Sequence, residues 1–251
     1  MLLMHPGRTR AAPAFALASA LGAAASPCAA AGAFGGSLAL TSDYVYRGLS
    51  QTCGKPAAQA DLHYRLSSGE SAAENFIGVW GSVDLSGEEC RAKSELNAYA
   101  GRTWLLPSSD SSATLTYVHY TYPSGNRPRY DYDELEGAWA YQDRVFITLA
   151  WSPNTLRYTD ESISYDRSAL ACGLQLHQPL GTAFTVSAGV GYDQFADPSG
   201  TGYGFWNAGI AYALGSAQFD VSYFDTASRA TRLYGEYVAG ARWSATLVWR
   251  F

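Results

Sequence analysis

The sequence predicts an all-β fold: a transmembrane antiparallel up-and-down β-barrel of about 12 strands, following a cleaved signal peptide. Three observations lead there. Apolar and polar residues alternate with period two from Gly36 to the last residue, the spacing of a strand with two unlike faces. Aromatic residues make up 14% of the 251, with 18 Tyr and 7 Trp against 2 Met, a bias toward sheets and interfacial rings. Beyond the N-terminus no apolar run reaches the roughly 18 residues of a spanning helix, which excludes a helical transporter.

The N-terminus sets the compartment. Arg8 and Arg10 precede a small-residue apolar stretch from Ala11 to Ser26, and Cys28-Ala29-Ala30-Ala31 offers small side chains to a signal peptidase. Residues 1–31 therefore read as a secretory signal and 32–251 as the barrel. Cleavage removes two arginines and no acid from a chain of net charge −5. So acidic an exported protein is no nucleic-acid binder.

The first segment carries Leu38 and Leu40 with Tyr44 and Tyr46 on one face, and Leu62, Tyr64 and Leu66 mark the second. Ile77, Val79 and Val83 make the third, and Leu96, Ala98 and Ala100 the fourth. The fifth, around Leu115 and Tyr117, does not declare its facing. Leu135, Trp139 and Tyr141 follow, then Val145, Ile147, Leu149 and Trp151, then Leu170, Leu174 and Leu176. Phe184, Val186, Val190 and Tyr192 give the ninth, Trp206, Ile210, Tyr212 and Leu214 the tenth, and Phe219, Val221 and Tyr223 the eleventh. In the last, Trp243, Ala245, Leu247, Trp249 and Phe251 oppose Arg242, Ser244, Thr246 and Arg250. The face with arginines reads as lumen and the aromatic face as lipid contact. Trp249 and the terminal Phe251 resemble the signal by which the barrel-assembly machinery recognises its clients. Short turns such as Gly215-Ser216 alternate with longer connections at Ser50–Pro56, Ser86–Ala92, Pro123–Arg129, Pro153–Ser162, Gln194–Tyr203 and Asp225–Tyr234. That rhythm is expected of periplasmic turns and extracellular loops.

The run Ala39-Leu40-Thr41-Ser42-Asp43-Tyr44-Val45-Tyr46-Arg47-Gly48-Leu49-Ser50-Gln51 resembles the opening signature of the TorF porin family of proteobacterial outer-membrane proteins. Phe76 to Asp84, Glu95 to Gly101 and Tyr120 to Pro123 are further similar pieces. The resemblance implies an outer-membrane barrel and a channel, with no catalytic residues. Cys53 and Cys90 depart from it.

Parity gives the candidate pore-lining set: Arg47, Asp61, His63, Arg65, Asp84, Glu95, Glu134, Glu136, Asp220, Arg242 and Arg250, with Asp43, Asn97 and Asp193 on the same face. In strand order Arg47, Arg65, Arg242 and Arg250 cluster on one side, and Asp84, Glu95, Glu134 and Glu136 on the other. The expectation is a transverse field across a narrow channel passing small polar or charged solutes. Against it stands a non-conducting structural barrel whose charges interlock. Two further alternatives are an outer-membrane lipid hydrolase built on His119 and Ser112, and a soluble periplasmic ligand-binding barrel. Cys53 and Cys90 fall in neighbouring outer loops and read as a disulfide, while Cys172 alternates with Leu170 and Leu174 on the lipid side. His63, His119 and His177 lack metal-ligand spacing, so no metal or cofactor is expected. The expected partners are outer-membrane lipids, the assembly machinery and small polar solutes, and the oligomeric state is left open.

Overall fold

A computed structural model describes residues 33–67, 73–87, 93–106, 109–123, 131–158, 163–195 and 202–251. The signal segment 1–31 and Cys90 lie outside these residues.

Twelve strands form a closed antiparallel barrel: β1 (Ala33–Thr41), β4 (Ala57–Ser67), β5 (Ala73–Asp84), β6 (Ser94–Leu106), β7 (Ser111–Thr121), β8 (Tyr132–Tyr141), β9 (Val145–Tyr158), β10 (Ile163–Leu180), β11 (Phe184–Phe195), β12 (Gly202–Leu214), β13 (Ala217–Thr226) and β14 (Arg242–Arg250). A two-stranded hairpin, β2 (Val45–Tyr46) with β3 (Leu49–Ser50), stands apart from the barrel sheet. Two short helices, α1 (Ser228–Tyr234) and α2 (Glu236–Ala239), precede β14. The seam pairs β1 with β14, Ser37 opposite Arg250 and Thr41 opposite Thr246. Beyond it the amides and carbonyls of Gly36 and Phe251 exchange hydrogen bonds of 3.0 and 3.1 Å. Closure leaves no ladder edge unpaired, which a hydrocarbon surround demands.

The alternation read from the sequence is the alternation of faces. Leu38, Leu40, Leu62, Ile77, Val79, Leu96, Leu149, Leu170, Ile210 and Leu247 point outward and are exposed. Leu115 and Tyr117 join them, which settles the facing of the fifth segment. Aromatic rings bound this belt at both ends. Trp206, Tyr223 and Trp243 form one chain of contacts with centroids 5.3 and 5.2 Å apart, toward the long connections. Phe34 with Tyr64, Phe184 with Tyr212, and Trp249 with Phe251 do the same toward the short turns, at 4.8, 4.9 and 5.6 Å. An apolar band between aromatic girdles is the surface of a membrane-spanning barrel.

Many inward positions are small, polar or charged, others carry large apolar side chains such as Trp80, Val118 and Val248, and most are buried. Large inward rings fit where a neighbouring strand has no side chain: Tyr99 lies over Gly78 and Phe76 over Gly101, so a Cβ at either glycine would collide with the ring.

Three sequence expectations need correction. The first strand ends at Thr41, so Tyr44 and Tyr46 do not face lipid but turn into the barrel, where Tyr44 is buried. The last long connection is not plain loop: Ala230, Leu233, Tyr234 and Val238 recur at helical spacing, and Ala230 and Ala239 are buried. On the N-terminal side of the loop expected at Pro153–Ser162 the strand runs further, β9 reaching Tyr158, while β10 starts at Ile163, where that loop is expected to end.

Candidate functional site

Where β1 stops, the chain folds inward across the end of the barrel that carries the long connections. Ser42 keeps one ladder step with β14, its amide bonding the Ala245 carbonyl at 2.9 Å. At Asp43 the backbone leaves the sheet, and its carbonyl accepts the hydroxyls of Thr41 and Ser244, both at 2.8 Å. The Asp43 carboxylate ties the hairpin base together: it accepts Ser50 at 2.5 Å and Thr52 at 3.0 Å, and an Arg242 Nη1 of β14 lies 3.1 Å away. A buried carboxylate with three donors holds its place firmly.

The hairpin tip is Arg47-Gly48. Both residues have positive φ, 49° and 78°, the geometry of a two-residue primed turn. Gly48 is required twice over, because a Cβ there would also lie 2.7 Å from Phe205 and from Thr226.

This tip places Arg47 against β8. Its Nη1 and Nη2 donate to the two oxygens of Glu134 at 2.9 and 2.8 Å, a bidentate pair. Glu134 is only 1% exposed and also accepts hydroxyls from Ser152 at 2.8 Å, Tyr120 at 3.2 Å and Tyr46 at 3.3 Å. Glu136 lies 3.9 Å and Asp193 4.0 Å from the same guanidinium. The guanidinium carbon sits 4.8 Å from the Tyr46 ring centre.

Apolar contacts brace the hairpin on both sides. Tyr44 packs with Trp80, Val118 and Tyr120, its ring 5.4 Å from that of Trp80. Tyr120 stacks on Tyr132 at 4.3 Å. On the opposite side Leu49 joins Tyr203, Ala230 and Ala239, so α1 and α2 form a second wall around the hairpin. Thr226 fixes that wall by donating to the Ala239 carbonyl at 2.6 Å.

The expected transverse field is therefore not present as such. Arg47 belongs to no barrel strand, and it lies against Glu134 and Glu136, two of the four acids it was expected to face; Arg242 pairs with Asp43. Arg65 and Arg250 sit at the short-turn end instead, where Arg250 reaches Gln218 at 3.3 Å. Asp61 binds His63 at 2.6 Å and accepts the Tyr99 hydroxyl at 2.5 Å. Glu95 accepts the Asn97 amide at 2.7 Å, and Asp220 accepts Ser222 at 2.6 Å. Asp84 accepts the Ser86 amide and hydroxyl, both at 2.6 Å, at the start of its connection.

Hydrolase geometry is not assembled. Ser112 is buried on the inward face, while the His119 side chain lies outward, 46% exposed, and pairs with Asp133 at 2.8 Å. Cys53 is disulfide-bonded, and Cys172 is an exposed free thiol. Trp249 and Phe251 are both exposed on the outer face.

Sequence reasoning missed the hairpin because Tyr44 and Tyr46 stay in step with Leu38 and Leu40. The signal was present in Arg47-Gly48, a glycine-containing pair between two alternating stretches, which is a hairpin mark.

Solved structures share this architecture. A structure from work on the in-meso crystallization of membrane proteins matches with a TM-score of 0.56 at 11% identity, covering 86% of this chain and 83% of that one. The COG4313 outer membrane channel from Pseudomonas putida F1 matches with a TM-score of 0.52 at 10% identity, covering 89% and 96%. At such identities the likeness is one of fold. No curated protein matches the chain by sequence. The family model described as "Bacterial protein of unknown function (Gcw_chp)" matches residues 23–249, and the chain belongs to the Gcw_chp family.

Proposed function

We propose that the protein is an outer-membrane channel of a Gram-negative bacterium that passes small polar or charged solutes passively through a narrow charged lumen. In this reading the signal peptide over 1–31 directs export and is removed, and the barrel inserts by its last strand, Trp249 and Phe251 engaging the assembly machinery. The long connections face outward and the short turns face the periplasm. One observation carries the reading: a polar-lined closed barrel has its loop end narrowed by a hairpin whose tip is clamped by charge. A merely structural barrel has no need of a bidentate ion pair at its mouth. The resemblance to the TorF porins supports it too, since its most specific run, Ala39 to Gln51, contains this hairpin.

Planar-bilayer recording of purified, refolded protein tests the proposal. The wild type should give small single-channel currents, and a variant with Tyr44–Gln51 replaced by a short Gly-Ser turn should give several-fold larger ones. Absence of conductance in both would leave the non-conducting structural barrel, the reading favoured by the burial of inward side chains such as Glu134 and Val248.

Cys53 and Cys90 are proposed to form the staple beside this hairpin. Non-reducing peptide mapping should recover the two as one linked species, and two alkylatable thiols would reject the pairing.

A further inference from the structure

Three carboxylates, Glu134, Glu136 and Asp193, converge from β8 and β11 on one guanidinium, at 2.8, 3.9 and 4.0 Å. The negative groups belong to the barrel wall, whereas the positive group arrives on a separate element, the hairpin tip. Asp193 is 8% exposed and accepts the Tyr203 hydroxyl at 3.4 Å through Oδ2, yet its buried Oδ1 has no hydrogen-bond partner. An unpaired buried carboxylate oxygen is costly unless a donor reaches it. With Arg47 in place, Asp193 Oδ1 is the acceptor of this cage that remains without a donor. Tyr46 and Tyr120 add hydroxyls directed at the same Glu134 oxygen. The planar, forked guanidinium fits this set as a lysine ammonium would not.

We infer that the cage of Glu134, Glu136 and Asp193 is a subsite for the guanidinium group of a solute, which Arg47 occupies in its place while the hairpin is folded in. The inference rests on the channel reading and names its solute class: small molecules bearing a guanidinium. A solute guanidinium making the same contacts competes with Arg47 for this wall.

Binding can be measured apart from conductance. Calorimetry with detergent-purified protein uses agmatine as the guanidinium probe and succinate as the anionic control. Arg47→Ala should bind agmatine about tenfold or more tightly than wild type, because a tethered guanidinium competes at an effective concentration on the order of mM. Adding Glu134→Gln to that variant should abolish binding, and succinate should bind to none of the three. If Arg47→Ala folds poorly, low-millimolar agmatine should restore its heat-modifiable migration, as should Arg47→Gln by keeping a donor at the tip. Equal agmatine binding by wild type and Arg47→Ala, or binding indifferent to Glu134→Gln, overturns the subsite. A silent channel with agmatine bound as expected overturns the conductance reading alone.

Discussion

The outer and inner faces of the barrel come from the same strands and obey different rules. Outside, each side chain meets an undemanding surround, so greasiness at every second position is sufficient: Leu38, Leu40, Leu247 and Trp249 sit side by side across the seam and need no particular partner. Inside, the same backbone must satisfy each polar atom from a handful of neighbours, and Glu134 alone takes donors from the hairpin, β7 and β9. A face that meets solvent-like lipid tolerates exchange among apolar residues. A face that meets itself does not.

Three substitutions sharpen the contrast. The largest effect is expected from Glu134→Gln, which keeps the shape but leaves Arg47 without its bidentate partner inside the barrel. The loss should be about 3–5 kcal/mol, as for other broken buried pairs, read from urea unfolding in detergent or lipid. The same change at Glu136, farther from the guanidinium, should cost less, and equal losses at both would mean that no single carboxylate anchors the tip. Next comes Leu40→Arg on the outer belt, at ~2–4 kcal/mol for a charge facing the bilayer interior. That penalty should appear in lipid vesicles and largely vanish when the folded protein is assayed in a short-chain detergent. Persistence in detergent would place Leu40 against protein and break the assignment of faces.

The difference also explains what could be read in advance. Strand number, up-and-down order and the outward residues follow from a two-residue period, because the apolar belt records a one-body preference of each side chain for hydrocarbon. The inward positions of Asp61, His63, Arg65, Glu95, Glu134, Glu136 and Asp220 follow from the same parity. Which of them touch does not, since contact across a lumen depends on how the connections fold. Arg47 illustrates this: parity put it on a wall, yet the turn at Arg47-Gly48 makes it a tip that crosses to β8. The helices α1 and α2 were hidden for a related reason. They bury only small faces, Ala230 and Ala239, and their seven and four residues are too few to compete with turn signals.

The pairing of β1 with β14 has a consequence for how the molecule comes into being. It joins residues more than two hundred positions apart, such as Ser37 and Arg250, whereas every other barrel ladder joins barrel strands that follow one another along the chain. Local hairpins can zip early, but this last ladder must wait until the others have curled the ribbon round upon itself. Until then the growing sheet has two raw margins, each able to template on a stranger, and the protein is most vulnerable to misassembly in the interval before its own first and last strands meet.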